Sequence, residues 1–370
     1  VNKAKKILHI QLLPLLSGVQ RVTLNEINEV NTDYPNKYAY YVVCNGVGPL
    51  TDELEKIKIP FSLIPELKRN ISPFNDIKSL FKMIRFIKNE EFDIVHTHSS
   101  KTGLIGRLAA KISGVKKVVH TVHGFSFPAA DNLISKIVFY FMEWFAKFFT
   151  DELFVLNKTD YELAIKKLKY NKDKVHIIPN GINIDRFRPQ QKTHDGFRVV
   201  MVGRLWEQKN PMCLVYAAEM LLKKYSDINI DFIGDGDLRD TMQNYLNKNN
   251  LSNNIKILGW INDVDKLLPK YDLFVLPSLW EGMPLAILEA QSCGLPAVVS
   301  DIPGNSDLIH NNLNGFVFAK NDASDLSSKI EMIYLSVDLK KEMSLKARDI
   351  VCDKYSSLIR NDAIIHHYEN

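Results

Sequence analysis

Between Asn180 and Gly196 the chain reads NGINIDRFRPQQKTHDG, a polar stretch punctuated by Gly181, Pro189 and Gly196, with no apolar period long enough for a helix or a strand. Such a stretch reads as a linker. Its flanks decide the fold. Toward the amino end, short β-branched runs at Lys6–Ile10, Tyr38–Val43, Phe61–Ile64, Phe92–His96, Lys117–Thr121, Leu153–Leu156 and Val175–Ile178 alternate with longer helical patterns. Toward the carboxyl end the same rhythm restarts at Arg198–Val202, Ile228–Ile233, Ile255–Leu258, Leu273–Leu276 and Ala297–Ser300. Strands alternating with helices make a largely parallel sheet covered on both faces. The sequence therefore predicts an α/β protein of two doubly wound domains facing each other across a cleft, residues 1–187 and 188–354. Residues 355–370 form a C-terminal segment that is expected to pack back on the first domain. Open parallel sheets bind ligands beyond the carboxyl ends of their strands, so function is expected in the loops that face the cleft.

Composition narrows the class. With 370 residues, 46% hydrophobic and 24% charged, the chain can bury a real core. Its net charge of +4 is too small and too evenly spread for a protein held to nucleic acid by phosphate neutralisation, so no nucleic-acid partner is expected. Cys44, Cys213, Cys293 and Cys352 are far apart and never in a CxxC pair, which points to neither zinc nor a disulfide framework and fits a reducing cytoplasm. Lys3, Lys5 and Lys6 run into a short apolar stretch that soon meets Gln11 and Pro14, which reads as a first strand and not a signal peptide. The strongest apolar run, LISKIVFYFMEWFAKFF from Leu133 to Phe149, is interrupted by Lys136, Glu143 and Lys147 and is short for a bilayer span of roughly 20 residues. Its aromatic and lysine content suits a membrane interface, and equally a buried core helix. Lys78, Lys82, Arg85 and Lys88 on a separate helical stretch would add a basic face for anionic headgroups.

Three segments carry chemistry. In PSLWEGMPLAILEAQSCG, Pro277 to Gly294, a loop runs into a helix for which Pro284 is a natural first residue, with an end near Gly294. Glu281 then lies on the loop and Glu289 on the second helical turn, while the free amides of Leu285 and Ala286 face whatever anion sits at the helix start. Taken alone, a Glu-x7-Glu pair is more often two solvated charges. The second segment, VGRLWEQKNP from Val202, follows the first strand of the second domain. Gly203 permits a tight exit, and Arg204 and Lys209 add two cations beside a helix that Pro211 can begin. A diphosphate leaving group gathers negative charge as its bond to a sugar breaks, and placed cations act most strongly at that moment. The third, LLSGVQR from Leu15, places Gly18 where strand one turns into a helix and backbone can approach a ligand.

His96 and His98 alternate at the end of one strand, and His120 and His123 bracket the end of the next. No Asp or Glu accompanies them, so a metal site is not expected. His123, followed by Gly124, is better placed to hold a sugar hydroxyl or a phosphate oxygen. Gly234-Asp235-Gly236 lacks the third glycine of a nicotinamide fingerprint, and neither a P-loop nor a G-x-S-x-G elbow occurs.

Together, Ser17-Gly18-Val19-Gln20, Phe92 to His98, His120 to Gly124, Ile178 to Asn183, Gly203-Arg204…Lys209 and Glu281-Gly282-Met283-Pro284…Glu289-Ala290 resemble the retaining glycosyltransferases of family 4, over essentially the whole chain. The resemblance implies the GT-B fold of two Rossmann-like domains and transfer of a sugar from a nucleotide diphosphate sugar, UDP-sugar favoured, to a hydroxyl of a glycan or polyprenyl-linked acceptor. Arg204 and Lys209 would hold the diphosphate and Glu289 the ribose. Glu281 would contact hydroxyls of the donor sugar, with Gly203 and Met283, Pro284, Leu285 and Ala286 on the phosphate side. His123 would lie near the donor sugar, and Gly18 would open space for donor and acceptor. The resemblance further implies no metal and no cofactor, surface polysaccharide biosynthesis, and a place in the cytoplasm at the inner face of the membrane. Ser17 departs from the pattern, since many relatives carry a second glycine there. Two other functions fit the same architecture, a sugar-nucleotide epimerase and a non-catalytic binding subunit; the second is disfavoured by the joint presence of Arg204, Lys209, Glu281 and Glu289.

Overall fold

A computed structural model describes residues 4–128, 130, 132–191 and 195–370. Lys3 of the charged start and Lys192, Thr193 and His194 of the linker stretch lie outside them.

Seven strands make the first sheet: β1 (Lys5–Ile10), β2 (Tyr38–Cys44), β3 (Phe61–Leu63), β4 (Ile94–His98), β5 (Lys117–Val122), β6 (Glu152–Val155) and β7 (Val175–Ile177). All pairings are parallel, in the order β3-β2-β1-β4-β5-β6-β7. Side chains alternate between faces. Ile7 of β1, Ile94 of β4 and Val119 of β5 join one apolar cluster with Ile27 and Val30 of the Gly18–Asp33 helix. Leu8, Val95 and Val118 join another on the opposite face, with Met83 of the Pro73–Glu90 helix and Ala109 of the Ser100–Ile112 helix. Both faces are covered, as a doubly wound sheet requires.

The second sheet has six strands: β8 (Phe197–Val202), β9 (Ile228–Ile233), β10 (Ile255–Gly259), β11 (Leu273–Leu276), β12 (Ala297–Ser300) and β13 (Gly315–Phe318), ordered β10-β9-β8-β11-β12-β13 and again parallel. Both sheets have the doubly wound, Rossmann-like topology expected from the sequence. Strand β13 is absent from the sequence reading. It is four residues long and begins at Gly315, where an added Cβ would lie 1.9 Å from the Ala297 carbonyl oxygen. Only a glycine lets β13 close on β12 there.

The chain divides into two compact units, residues 1–180 with 360–370, and residues 181–359. Gly181 to Phe187 thus stay with the second unit, where the Ile182 amide donates to the Tyr355 carbonyl and Arg348 donates to the carbonyls of Ile184 and Phe187. Ile364, Ile365 and Tyr368, on the Ser357–Glu369 helix, are core residues of the first unit.

The Leu133–Ala146 helix is turned in an uncommon sense. Its one acidic residue, Glu143, is buried and pairs at 2.9 Å with Arg107, itself fully buried and donating also to Gly103, Thr150 and Tyr170. A buried guanidinium needs that carboxylate. With Glu143 facing inward, Leu133, Ile134, Ile137, Phe141 and Phe145 are exposed, and so is Phe148 just beyond. Of the two readings of this run, a membrane-interface helix or a buried core helix, the second is therefore corrected. The Ser100–Ile112 helix packs against both this helix and the Pro73–Glu90 helix. On the latter, Phe74, Ile77 and Phe81 are exposed among Lys78, Lys82, Arg85 and Lys88.

Candidate active site

In the second unit β8 and β11 are hydrogen-bonded neighbours, yet from β8 the chain winds outward through β9 and β10 before returning to β11. The order reverses between them, and at such a switch point the two outgoing loops part and leave a crevice. The loops that leave it are Gly203 to Asn210 and Pro277 to Pro284. They are stitched to each other: the Leu279 amide donates to the Gln208 carbonyl at 2.7 Å, and the Gln208 side-chain amide to the Trp280 carbonyl at 3.0 Å. Lys209 ends the short 3-10 turn Glu207–Lys209, and its Nζ lies 2.5 Å from Oε1 of Glu281, with both side chains largely buried. Two predicted residues 72 positions apart thus form one ion pair. Arg204 stands over the Trp206 ring with its guanidinium carbon 4.5 Å from the centroid, which holds the cation by its face and leaves the N–H edge for an anion.

The following helix spans Leu285–Ser292. Pro284 is its extended N-cap, not its first helical residue, because the chain must stay extended to carry buried Met283 and Pro284 under the loop. The amides of Leu285 and Ala286 open the helix, where no carbonyl lies one turn back to receive them. Glu289 lies on the second turn of the same helix, and its charge reaches Arg186. The helix stops at Cys293, and Gly294 turns with φ +74°.

Two glycines outside the predicted set hold these loops in place. An added Cβ on Gly304 would lie 2.3 Å from the Gly282 carbonyl oxygen and 3.0 Å from that of Glu281, so this residue lets a neighbouring turn close on the Glu281 loop. Gly234 meets the Gly203 carbonyl oxygen at 1.9 Å in the same sense. The Gly234-Asp235-Gly236 segment therefore packs against the Gly203 loop, and the Leu205 amide donates to the Asp235 carbonyl. Turn punctuation at Ile302-Pro303-Gly304-Asn305 marks the first of these in the sequence, but nothing local says what it approaches.

In the first unit the switch point lies between β1 and β4. Gly18 is exposed and opens the Gly18–Asp33 helix beyond β1, with Ser17 as N-cap. His123 follows β5, half-buried, and Gly124 after it takes φ +108°. His98 Nδ1 lies 3.2 Å from His123 Nε2, and His9 Nδ1 lies 3.1 Å from His98 Nε2. His96 bonds Tyr368 and Thr121, while His120, on the opposite face of the sheet, bonds Thr97. Burial pulls His96, His98 and His120 well below the usual histidine range and His123 down to about 3. His9, which sequence reasoning passed over, completes this cluster. Among the described residues, His9, His96 and His98 come close enough to share a metal ion, as do Glu152, His176 and His367. In the first trio the ring nitrogens are largely spent on hydrogen bonds to one another and to Tyr368 and Thr121.

Comparison with known proteins identifies the family to which the chain is similar. Residues 16–186 match the family described as Glycosyltransferase Family 4, and residues 183–350 that described as Glycosyl transferases group 1. The chain is 42% identical to the UDP-Gal:alpha-D-GlcNAc-diphosphoundecaprenol alpha-1,3-galactosyltransferase of Escherichia coli, over 97% of its own length and 95% of that protein. It is 24% identical to the capsular polysaccharide biosynthesis glycosyltransferase CapM of Staphylococcus aureus, over 96% and 95% of the two. Among solved structures, Anabaena Alr3699/HepE in complex with UDP and glucose superposes with a TM-score of 0.83 at 18% identity, over 99% of this chain and 100% of that one.

Proposed function

Because this chain belongs to the family 4 glycosyltransferases, we propose that it moves galactose from UDP-galactose to a polyprenyl-diphosphate-linked sugar, with retention at the anomeric carbon. The observation that carries the proposal is the likeness, over nearly the whole chain, to an enzyme named for that donor and that class of acceptor. The chemistry of the crevice between β8 and β11 supports it. Arg204 and Lys209 offer cations to the diphosphate, and the amides that open the Leu285–Ser292 helix add partial positive charge. Glu289 takes the ribose hydroxyls. Glu281, oriented by its bond to Lys209, takes hydroxyls of the sugar. As the bond between the anomeric carbon and the diphosphate lengthens, negative charge grows on the phosphate side, where these groups hold it best. The departing phosphate oxygen accepts the proton of the incoming hydroxyl on the same face, so the new bond forms with the old configuration.

A titration tests the donor. UDP is expected to bind the wild-type chain at least tenfold more tightly than GDP, ADP or CMP. Glu289→Ala and Lys209→Ala are each expected to weaken that binding with the fold preserved. Equal binding of all four nucleotides, or unchanged binding in both variants, overturns the site.

The acceptor reading carries a membrane contact with it. No helix among the described residues is long and apolar enough to cross a bilayer. The outward apolar face of the Leu133–Ala146 helix, with Lys147 stacked on Trp144 and Phe148, has the make-up of a surface that enters the headgroup region. The basic residues of the Pro73–Glu90 helix add attraction to an anionic leaflet. The enzyme would then work at the inner face of the cytoplasmic membrane, in surface polysaccharide biosynthesis. Flotation with anionic liposomes at low salt should recover the wild-type chain, and Phe141→Asp with Phe145→Asp should abolish the recovery. Absence of the wild-type chain from the liposome fraction rejects the contact.

A further inference from the structure

Strand period and register explain why so many imidazoles meet in the first unit. His9 pairs in register with His96, and His98 with Thr121, two residues before His123. Residues two apart share a face, so His9, His96, His98 and His123 all lie on the side of the sheet that carries the Gly18–Asp33 helix, from which Glu26 projects. Within this group runs a single file of rings. His9 Nδ1 meets His98 Nε2 at 3.1 Å, and His98 Nδ1 meets His123 Nε2 at 3.2 Å. His9 and His98 are fully buried.

Neutral imidazole has one N–H donor and one acceptor nitrogen. At each ring-to-ring contact one partner has to donate and the other accept. A file of neutral rings therefore has two consistent states, with every N–H pointing toward His9 or every N–H pointing toward His123. Glu26 selects between them. Its Oε2 is salt-bridged to Arg360 at 3.0 Å, and its Oε1 accepts the Tyr368 hydroxyl at 3.1 Å and lies 3.6 Å from His9 Nε2. In so buried a place a carboxylate attracts an N–H and repels a nitrogen lone pair. His9 thus carries its proton on Nε2. Its Nδ1 accepts from His98 Nε2–H, and His98 Nδ1 accepts from His123 Nε2–H. A second branch has the same polarity. Tyr368 gives its proton to Glu26, so its oxygen accepts from His96 Nδ1–H at 2.5 Å, and His96 Nε2 accepts from the Thr121 hydroxyl at 2.7 Å. Every donor in the cluster aims at Glu26.

We propose that Glu26, His9 and His98 are positioning residues that lock His123 in its Nε2–H tautomer, leaving Nδ1 as a hydrogen-bond acceptor that reads a hydroxyl of the ligand and rejects a phosphate oxygen. The lock is a property of the first unit alone; the recognition of a hydroxyl rests on the placement of His123 beside the sugar. At neutral pH the low proton affinity of all three rings keeps the file uncharged. Uridine diphosphate contributes only acceptor oxygens on its phosphates, so an accepting Nδ1 has no proton to take from them.

The test is a long-range proton–nitrogen correlation spectrum of the full chain with labelled histidine at pH 7.5, His123 being assigned by the signals lost in His123→Gln. A pure Nε2–H pattern for His123 is expected in the wild type. Glu26→Gln is expected to convert it to a tautomer mixture. If that variant does not fold, His98→Leu, which cuts the file and keeps the ion pair with Arg360, is expected to do the same. A wild-type Nδ1–H pattern, a wild-type mixture, or a pattern unmoved by His98→Leu overturns the lock. Donor analogues carrying fluorine in place of single hydroxyls test the reading of the ligand, because fluorine cannot donate. One position is expected to raise KM about three- to tenfold in the wild type and to make no difference in His123→Leu, which has no acceptor. If no position does so while the spectrum holds, the lock stands and the placement of His123 beside the sugar fails.

Discussion

Replacing Lys209 with alanine is expected to lower turnover at saturating donor by about a hundredfold to a thousandfold, the range typical of removing one group that stabilises transition-state charge. The fold should survive, because Lys209 ends a short 3-10 turn outside the sheet and belongs to none of the apolar clusters among the described residues. The loss has two sources. Under the proposed mechanism the cation that meets the leaving diphosphate is gone, and Glu281, 2.5 Å away, loses the partner that aims it. Lys209→Arg keeps a positive charge but changes its reach, so partial recovery is expected. Glu281→Gln keeps the shape of the carboxylate without its charge and should also lower turnover strongly. Thermal melts within a few degrees of wild type, together with kcat measured at saturating donor, separate the chemical effect from a folding effect. Turnover within threefold of wild type in both Lys209→Ala and Glu281→Gln would remove these residues from the chemistry.

Acid is expected to unfold the protein well above the pH at which its carboxylates titrate. His9 is held below the usual histidine range by burial and by the charge on Arg360, against the pull of Glu26. Burial likewise holds His96, His98 and His120 well below it, reinforced by neighbouring histidines and, for His120, by Arg107. The folded pKa values lie under the unfolded value of about 6.5, so below that pH the unfolded chain takes up protons that the native chain does not. Stability is therefore fully present above pH 6.5 and falls as pH drops. The three groups held well below the usual range, His96, His98 and His120, each contribute about 1.4 kcal/mol per pH unit once fully protonated in the unfolded state, together about 4 kcal/mol per unit, and His9 adds in the same direction. Set against a typical total of about 5–15 kcal/mol, this places unfolding in the region of pH 5. Denaturant titrations at pH 8.0, 7.0, 6.0 and 5.5 would show a plateau and then a steep decline. Constant stability from pH 7.5 to 5.5 would mean that the cluster admits water or protons in the native state.

Much of this architecture is legible in the sequence because parallel strands buried on both faces leave short, dense β-branched runs between turn residues. Twelve of the thirteen strands are marked in this way. Strand β13 is not, because four residues beginning with a glycine make too brief a run, and its existence depends on a close approach to Ala297. In the candidate site, residues announced by charge and punctuation, such as Lys209, Glu281 and Glu289, stand out along the chain. Gly234 and Gly304 do not, since their worth lies in which carbonyl they approach across the fold. His9 was hidden for a similar reason. Alone in an apolar strand it looks like a satisfied core residue, and only the register of β1 against β4 brings it to His98. The sequence left the Leu133–Ala146 helix open between an interfacial and a buried reading because its direction is set by Arg107, a residue of another helix, drawing Glu143 inward.

The Ser357–Glu369 helix begins in one compact unit and ends in the core of the other, so the first unit is assembled from two pieces of chain nearly two hundred residues apart. During synthesis its sheet can form as soon as residue 180 has left the ribosome, but Glu26 then has neither Arg360 nor Tyr368 to meet it. A buried acid waits through the production of the entire second unit for its counter-charge. The nascent amino-terminal half is accordingly expected to remain loosely packed and open to chaperones until the last turns of helix arrive. A fragment of this half made for study should carry residues 360–370 joined to it, or supplied as a separate peptide.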